Sequence, residues 1–436
     1  MAGGRAFAAS IDTHTVFAVD ADSGRVLWTF TAGGRVDSPP TIHAGLALFG
    51  SADGWIYAVR ASDGALAWRF RAAPMERNLV AFEQVESVWP AVGNVLVQDG
   101  VAWAVAGRSA FLDGGLRLLR LDPATGRKLS ETVIDYGDRE AARALHEKLT
   151  GCTDMPVALP DILSSDGRRV YLRSQAFDLD GRQGDTAPRK ANDQVGDDAH
   201  LFSRTGFLDD TWYSRSYWMY GRGIVGLHGY PAGFEQWCEP AWYAPAGRLL
   251  VFSADTVFGF GREPAFQINS TSYQYRFFAA ARFPSPEDYG KAIAVVTEKG
   301  KPKGFHSDWK LREGYPRSEL SAAEYRWSVE RPPIEAHALV LAGEALVAAG
   351  PPALVDQTWA FFNLDDPKAK AALQAHADGL AGKKGGALWV LSARDGKKQA
   401  EVALASPPVF DGMAAAGGRL YVTTLDGKMV CVGEAK

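Results

Sequence analysis

The chain has 436 residues, of which 47% are hydrophobic and 22% are charged, a composition typical of folded globular proteins rather than disordered ones. Its 47 lysines and arginines stand against 51 aspartates and glutamates, giving a formal charge of −4 and no basic footprint for nucleic acid. Because no run of eighteen apolar residues occurs, no membrane-spanning helix is expected.

A repeat of about forty residues organises the N-terminal part of the chain. Residues 19–28 and 59–68 share one pattern, in which a glycine turn precedes a tryptophan, Trp28 or Trp68, by four residues. Such a period, with glycine turns between short strands, is typical of the blades of a β-propeller, because one blade cannot bury both of its faces alone. Both tryptophans are therefore expected between neighbouring blades.

The repeat can be followed along the chain as predicted strands. These are 46–50, 55–59 and 66–70, then 90–97, 101–106, 116–121 and 128–133, and finally 388–391, 419–424 and 429–432. Two degenerate copies surround residues 169–179 and 248–260. The sequence predicts an all-β fold, a single β-propeller over residues 1–436 with about seven four-stranded blades, six to eight being allowed. Long insertions are expected at 181–240, 262–335 and 351–386.

The motifs at residues 19–28, 50–59 and 121–126 resemble the repeats of PQQ-binding-like β-propeller proteins. That group includes quinoprotein alcohol dehydrogenases and an outer-membrane assembly lipoprotein. The resemblance is strong over residues 1–135 and 385–436, and it implies the fold but not the chemistry. The adjacent cysteine pair of the quinoproteins is absent here, and no calcium-binding set can be matched to theirs. The sequence therefore disfavours PQQ, and no cofactor is predicted, although calcium or another divalent metal stays open.

Four connections are expected on one face of the fold. Successive strands of a blade alternate in direction, so the outer-to-inner connections 73–89 and 135–156 open on the same side as the second-to-third connections 107–115 and 350–385. Functional residues concentrate on loops that a rigid scaffold positions. A ligand pocket walled by these loops is therefore predicted.

Residues 200–243 are rich in aromatic, arginine and histidine side chains that suit a ring-shaped, acidic ligand such as a carbohydrate. Arg204 or Arg215 would neutralise the ligand's carboxylate, and His200 or a tyrosine would transfer the proton. The candidate catalytic residues are His200, Arg215, Tyr217 and His228. The candidate ligand-binding residues are Glu86, Trp89, Arg108, Asp113, Arg204, Asp210, Trp212, Tyr213, Trp218 and Tyr220.

Each candidate has a structural alternative. The aromatic side chains could fill the core beneath a large loop, and each histidine could be a buried residue with satisfied hydrogen bonds. Glu86 and Arg108 could pair to brace neighbouring blades. His200, His228 and Cys238 lack the compact spacing of metal ligands, so no metal site is predicted.

Three functions fit these features. The first is a propeller that binds, or as a lyase or glycoside-cleaving enzyme acts on, a carbohydrate or smaller ligand. The second is a non-catalytic scaffold for protein partners, and the third, which the sequence disfavours, is a PQQ-dependent oxidoreductase. Whether the protein is an enzyme stays open, and neither nucleic acid nor a membrane span is expected.

Three cysteines do not make a disulfide framework. Cys152 and Cys238 lie in irregular segments, where a bridge and two free thiols are equally compatible with the sequence. Cys431 lies in an alternating strand and is expected to be buried and inert. The N-terminus lacks the apolar core of a signal peptide. A periplasmic or secreted location is nevertheless expected, with the export signal absent from this chain.

Overall fold

The structure is a computed structural model with two compact units. Unit 1 comprises residues 1–190, 200–216 and 222–231, and unit 2 comprises 191–199, 217–221 and 232–436. The described residues are 1–81, 83–137, 140, 158–184, 193–203, 218–223, 243–262, 266–267, 270–271, 274–299 and 321–433.

Unit 1 is a succession of antiparallel sheets in which strands adjacent in sequence are also adjacent in space. Its strands are β1 (Arg5–Ser10), β2 (Thr15–Asp20), β3 (Val26–Thr31), β4 (Thr41–His43), β5 (Leu46–Gly50), β6 (Trp55–Arg60), β7 (Leu66–Arg71), β8 (Asn78–Ala81), β9 (Gln84–Ser87), β10 (Leu96–Gln98), β11 (Val101–Ala106), β12 (Leu116–Leu121), β13 (Lys128–Ile134), β14 (Leu163–Ser165), β15 (Arg169–Leu172), β16 (Gln175–Asp178) and β17 (His200–Ser203). Strands β1–β3, β4–β7, β10–β13 and β14–β16 form four blade-like sheets, and β8 and β9 form a separate hairpin.

Unit 2 repeats this construction and adds three helices. Its strands are β18 (Trp218–Gly221), β19 (Ala246–Gly247), β20 (Leu249–Phe252), β21 (Thr256–Arg262), β22 (Phe266–Gln267), β23 (Ser270–Thr271), β24 (Tyr275–Ala281), β25 (Tyr325–Glu330), β26 (Ala338–Ala342), β27 (Ala345–Gly350), β28 (Gly386–Ser392), β29 (Lys398–Leu404), β30 (Pro408–Ala416), β31 (Arg419–Thr424) and β32 (Met429–Val432), and its helices are α1 (Pro286–Lys299), α2 (Gln357–Phe362) and α3 (Pro367–Leu380). Three blade-like sheets result, β20-β21-β24-β25, β26–β29 and β30–β32.

The predicted fold class, all-β of propeller type, is confirmed. Most predicted strands lie within a residue or two of the observed ones. The inner strand predicted at 90–97 is wrong over its first six residues, since β10 begins only at Leu96. Pro90 has no N–H to donate to a ladder, and its carbonyl instead accepts a hydrogen bond from Gly107 N at 3.0 Å. The number of blades and the single propeller domain stay predictions.

Tryptophans of the outer strands join successive blades, as predicted. Trp28 on β3 is buried, and its indole Nε1 donates to the carbonyl of Ala61 in the next blade at 3.1 Å. A Cβ on Gly64 would lie 2.7 Å from the Trp28 ring. The turn glycine therefore supplies both a positive φ of 74° and the space for the ring. Trp68 repeats the contact, donating to Pro123 O at 3.0 Å.

The third blade replaces this tryptophan contact with an arginine. Ser130 occupies the position of the tryptophan on β13, and Arg120 Nη1 donates to the carbonyl of Asp180 at 2.8 Å. A Cβ on Gly181 would lie 2.8 Å from Arg120 Cδ, so the side chain packs on the glycine as the indole does elsewhere. The contact between blades is retained with different chemistry.

Cys431 on β32 is exposed, so the expectation of a buried, inert thiol is wrong. In the three-stranded sheet β30–β32, β32 pairs only with β31, which leaves its other edge without a strand in that sheet. Cys152 and Cys238 lie outside the described residues, and their pairing stays open.

Candidate functional site

Among the predicted site residues that the structure describes in unit 1, Glu86 is the most deeply buried. It lies on β9, where alternation sends successive side chains to opposite faces, and its side chain is 0% exposed. One carboxylate oxygen is 2.7 Å from Arg35 Nη1, and the other accepts a hydrogen bond from Arg108 Nη2. Arg35 Nε in turn donates to Asp37 at 2.5 Å. We call these four residues the Glu86 cluster.

The Glu86 cluster is electrically balanced, with two guanidinium groups and two carboxylates. Burial raises the pKa of Asp37, while the charge and hydrogen bond of Arg35 oppose that shift. Buried ions need such partners, because an unpaired charge inside a protein is very costly. The ion pair between Glu86 and Arg108 is therefore observed, as expected if these two residues have a structural role. Arg35 and Asp37 were missed, although a charged pair directly before the Ser-Pro-Pro of residues 38–40 was a usable signal.

Three of the four loops expected on one face meet in unit 1. Arg77 of the first loop lies 3.3 Å from the Asp113 carboxylate of the second. The Trp89 indole donates to the Asp113 carbonyl at 2.7 Å. Tyr136, at the start of the third loop, donates its N–H to Ala110 O at 2.6 Å. The predicted convergence of loops 73–89, 107–115 and 135–156 is thus confirmed for their described residues.

The hairpin β8–β9 is held by its inner face and presents its outer face to solvent. Leu79 and Glu86 are directly opposite each other, and Leu79 packs against the buried Trp89 group while Glu86 enters its cluster. The next pair, Val80 and Val85, faces outward, with exposures of 75% and 62%. Two β-branched apolar side chains are therefore displayed on an anchored support.

His200 is buried inside unit 1. Its ring stacks on Tyr171 with centroids 3.7 Å apart and planes 6° apart, and its Nε2 lies 3.0 Å from the carbonyl of Arg173. These contacts match the alternative of a structural histidine. The catalytic role given to His200 stays a hypothesis.

Trp218 and Tyr220 lie on β18 in unit 2. The Tyr220 hydroxyl accepts a hydrogen bond from Arg282 Nε at 2.9 Å, and the same guanidinium lies 5.2 Å from the Tyr220 ring centroid. Tyr220 thus has a cation–π partner of its own. The remaining predicted site residues lie outside the described residues; these are Arg204, Asp210, Trp212, Tyr213, Arg215, Tyr217 and His228.

A second charged cluster, in unit 2, was not predicted. Glu335 precedes β26 and is bonded to Arg248 Nη1 at 2.9 Å, while His376 Nε2 on α3 lies 3.2 Å from its other oxygen. Burial by itself would raise the pKa of Glu335, but His376 and Arg248 hold it below its usual value. Burial lowers the pKa of the nearby His337. No motif indicated this cluster, because its members are brought together from three separate connections.

Asp411 lies beside this second cluster, in an irregular part of β30. Its backbone has a φ of 56°, and its N–H donates to the carbonyl of His337 at 2.7 Å. Part of the residue is exposed, but its carboxyl lies among enough protein atoms that desolvation raises its pKa to about 6. A positive φ and a raised carboxyl pKa at one residue are features that functional sites often share.

Among the residues that the structure describes, no group of three or more histidine, cysteine, aspartate or glutamate side chains is arranged to hold a metal ion. Calcium prefers oxygen ligands, but the carboxylate oxygens of the Glu86 cluster are directed toward guanidinium groups. The cluster therefore does not fit a calcium ion. The described part of the chain likewise contains no helix long and apolar enough to cross a membrane.

Comparison with known proteins agrees with the repeat pattern. Residues 1–188 match the family model described as outer membrane protein assembly factor BamB. No curated protein matches the sequence.

Three solved structures are similar to this chain at low sequence identity. BamB from Moraxella catarrhalis is 12% identical, with 98% of this chain and 93% of that chain covered and a TM-score of 0.48. Quinohemoprotein alcohol dehydrogenase from Comamonas testosteroni is also 12% identical, with 97% and 69% covered and a TM-score of 0.47. The computationally designed protein Ika8 is 8% identical, with 100% and 94% covered and a TM-score of 0.47. Likenesses at this level say nothing about function. Over residues 1–188, the chain therefore carries PQQ-like repeats similar to those of that family.

Proposed function

We propose that this protein is a non-catalytic propeller scaffold that binds protein partners through the loop face of unit 1. The observation that carries the proposal is the hairpin β8–β9, whose inner face is anchored by the Glu86 cluster and whose outer face is apolar and exposed. The description of the matching family as an assembly factor supports a role in protein contacts.

The proposed docking patch consists of four large apolar side chains on the two converging loops. Their exposures are 55% for Met75, 75% for Val80, 62% for Val85 and 58% for Leu112. Single exposed apolar residues are normal, but a group of them on one face marks an interaction site. The same two loops carry Arg77 and Asp113, whose contact holds them together.

The charges of this region favour binding over catalysis. A catalytic acid or base must reach the substrate, and Glu86 is fully buried between two guanidinium groups. Its carboxylate is therefore committed to holding the hairpin. Carbohydrate catalysis receives no support from the described residues or from the family match, and its main candidates lie outside the described residues.

An extracytoplasmic location follows from the same proposal. The matching family is described by its part in assembling outer membrane proteins, which supports a periplasmic site of action for this chain. Of the partners that the sequence left open, which are small molecules, oligosaccharides and proteins, the proposal selects proteins.

Site-specific photo-crosslinking tests the proposal. A photoreactive amino acid at Val80 or Val85 should give discrete protein adducts in cells, whereas the same probe at Val26, an exposed residue of the outer strand β3, should not. Once the partner is purified, Val80→Asp should weaken its binding at least about tenfold and Val26→Asp should not. Equal adducts at all three positions would contradict the proposal. So would saturable binding of acidic oligosaccharides that Arg108→Ala abolishes.

A further inference from the structure

We propose that the partner binds as an extended strand, rich in alternating apolar and basic residues, that pairs with the free edge of β8. This inference rests on the proposed function and names the chemistry of the partner. It draws on the backbone geometry of the hairpin and on the charges around it.

Strand β8 is the outer edge of its hairpin. The inner strand β9 is tied to the body of unit 1, since Ser87 N donates to Ala52 O at 2.8 Å. Among the strands that the structure describes, β8 pairs with β9 and with no other, so its second edge has no described partner. Every second residue of such a strand directs its N–H and C=O away from the ladder.

Val80 is one of these outward-directed residues. Two residues separate Ala81 from Gln84, and the pair next to a two-residue turn exchanges hydrogen bonds. The adjacent pair, Val80 and Val85, therefore does not, which leaves the Val80 N–H and C=O at the open edge. An added strand would complete these bonds and cover the exposed valine pair with its own apolar side chains.

The edge strand β8 lacks the lysine, proline and bulge that often prevent strand addition. Natural edge strands are blunted by lysine, proline or a bulge. The sequence of β8 is Asn78-Leu79-Val80-Ala81, and its four residues pair with β9 in continuous register. An open edge of this kind accepts another strand unless something covers it.

The surrounding charges select a basic partner. Loops 73–89 and 107–115 together contain four carboxylates and two guanidinium groups, a net charge of −2. The charges within the Glu86 cluster cancel, so the excess negative charge lies on the exposed rim of the two loops. There Glu76, Glu83 and Asp113 carry three negative charges and Arg77 carries one positive charge. A strand with lysine or arginine at alternate positions would place these cations along the rim.

A synthetic peptide provides the test. The probe is an acetylated and amidated hexapeptide of alternating lysine and valine, and its binding is followed by fluorescence anisotropy and by hydrogen exchange of the β8 amides. We expect saturable binding with slowed exchange in β8. The same peptide N-methylated on alternate amides should bind at least about tenfold more weakly, as should the counterpart with glutamate in place of lysine.

Two protein variants sharpen the test. Val80→Pro removes the outward N–H without touching the ladder to β9 and should weaken binding at least about tenfold. Val80→Thr keeps the N–H and the branched shape and should bind within about threefold of the wild type. No saturable binding up to millimolar peptide, or no effect of N-methylation, would overturn strand addition. If cross-links at Val80 and Val85 still formed, the scaffold function would stand without it.

Discussion

The carboxylate of Glu86 lies 2.7 Å from the guanidinium of Arg35, inside unit 1 and without contact with solvent. A second arginine, Arg108, holds the other carboxylate oxygen. This arrangement fixes the hairpin β8–β9 to unit 1 through its inner face. The hairpin therefore stays in place although its outer face exposes apolar side chains to solvent.

Replacing Glu86 by alanine should lower the free energy of unfolding by about 3–5 kcal/mol, because the buried Arg35 and the partly buried Arg108 lose the carboxylate they share. Urea unfolding monitored by tryptophan fluorescence measures the loss. Glu83→Ala is the matched control, since Glu83 is exposed at the tip of the same hairpin and should change the value by less than about 0.5 kcal/mol. Equal effects of the two changes would show that the cluster does not anchor the hairpin.

Trp28→Ala should cost about 3–5 kcal/mol, because the buried indole fills the space between two blades and its Nε1 bonds to Ala61 O. Trp68→Ala should cost less, since Trp68 is only partly buried. Denaturant unfolding of both variants checks the order. A loss under about 1 kcal/mol for Trp28→Ala would mean that the contact between blades does not carry stability.

Arg120→Ala should lower stability by about 1–3 kcal/mol, since it removes a charge-assisted hydrogen bond to Asp180 O and the packing on Gly181. The control is Arg60→Ala, which removes an exposed ion pair with Asp63 and should cost under about 1 kcal/mol. Thermal or chemical unfolding of the pair gives the comparison. If both losses were the same, Arg120 would not replace the missing tryptophan of the third blade.

Asp411→Asn should stabilise the protein at pH 8 and leave its stability unchanged at pH 4. The raised pKa of Asp411, about 6, means that the fold favours the neutral acid. The stability this contributes is present below the ordinary pKa of 3.8 and is lost as the pH rises through about 6. Unfolding curves across this range measure the difference between the two proteins. A difference between the two proteins that stays the same from pH 4 to pH 8 would contradict this prediction.

The repeat in the sequence by itself determined much of the fold. Glycine turns, alternating strands and the positions of Trp28 and Trp68 depend on local conformation and on a period that each blade repeats. The strands 101–106, 116–121, 419–424 and 429–432 were accordingly predicted to the residue. The inner strand at 90–97 was predicted too long because Pro90 ends the ladder bonds locally.

The candidate sites depended on tertiary structure. Glu86 and Arg108 were recognised as a pair, but their union with Arg35 and Asp37, and the gathering of Arg248, Glu335 and His376, join segments far apart in the chain. The sequence lists such residues without the distances between them. Whether a carboxylate is available to a ligand or committed to an ion pair is decided by burial and by its neighbours, which only the packed structure supplies.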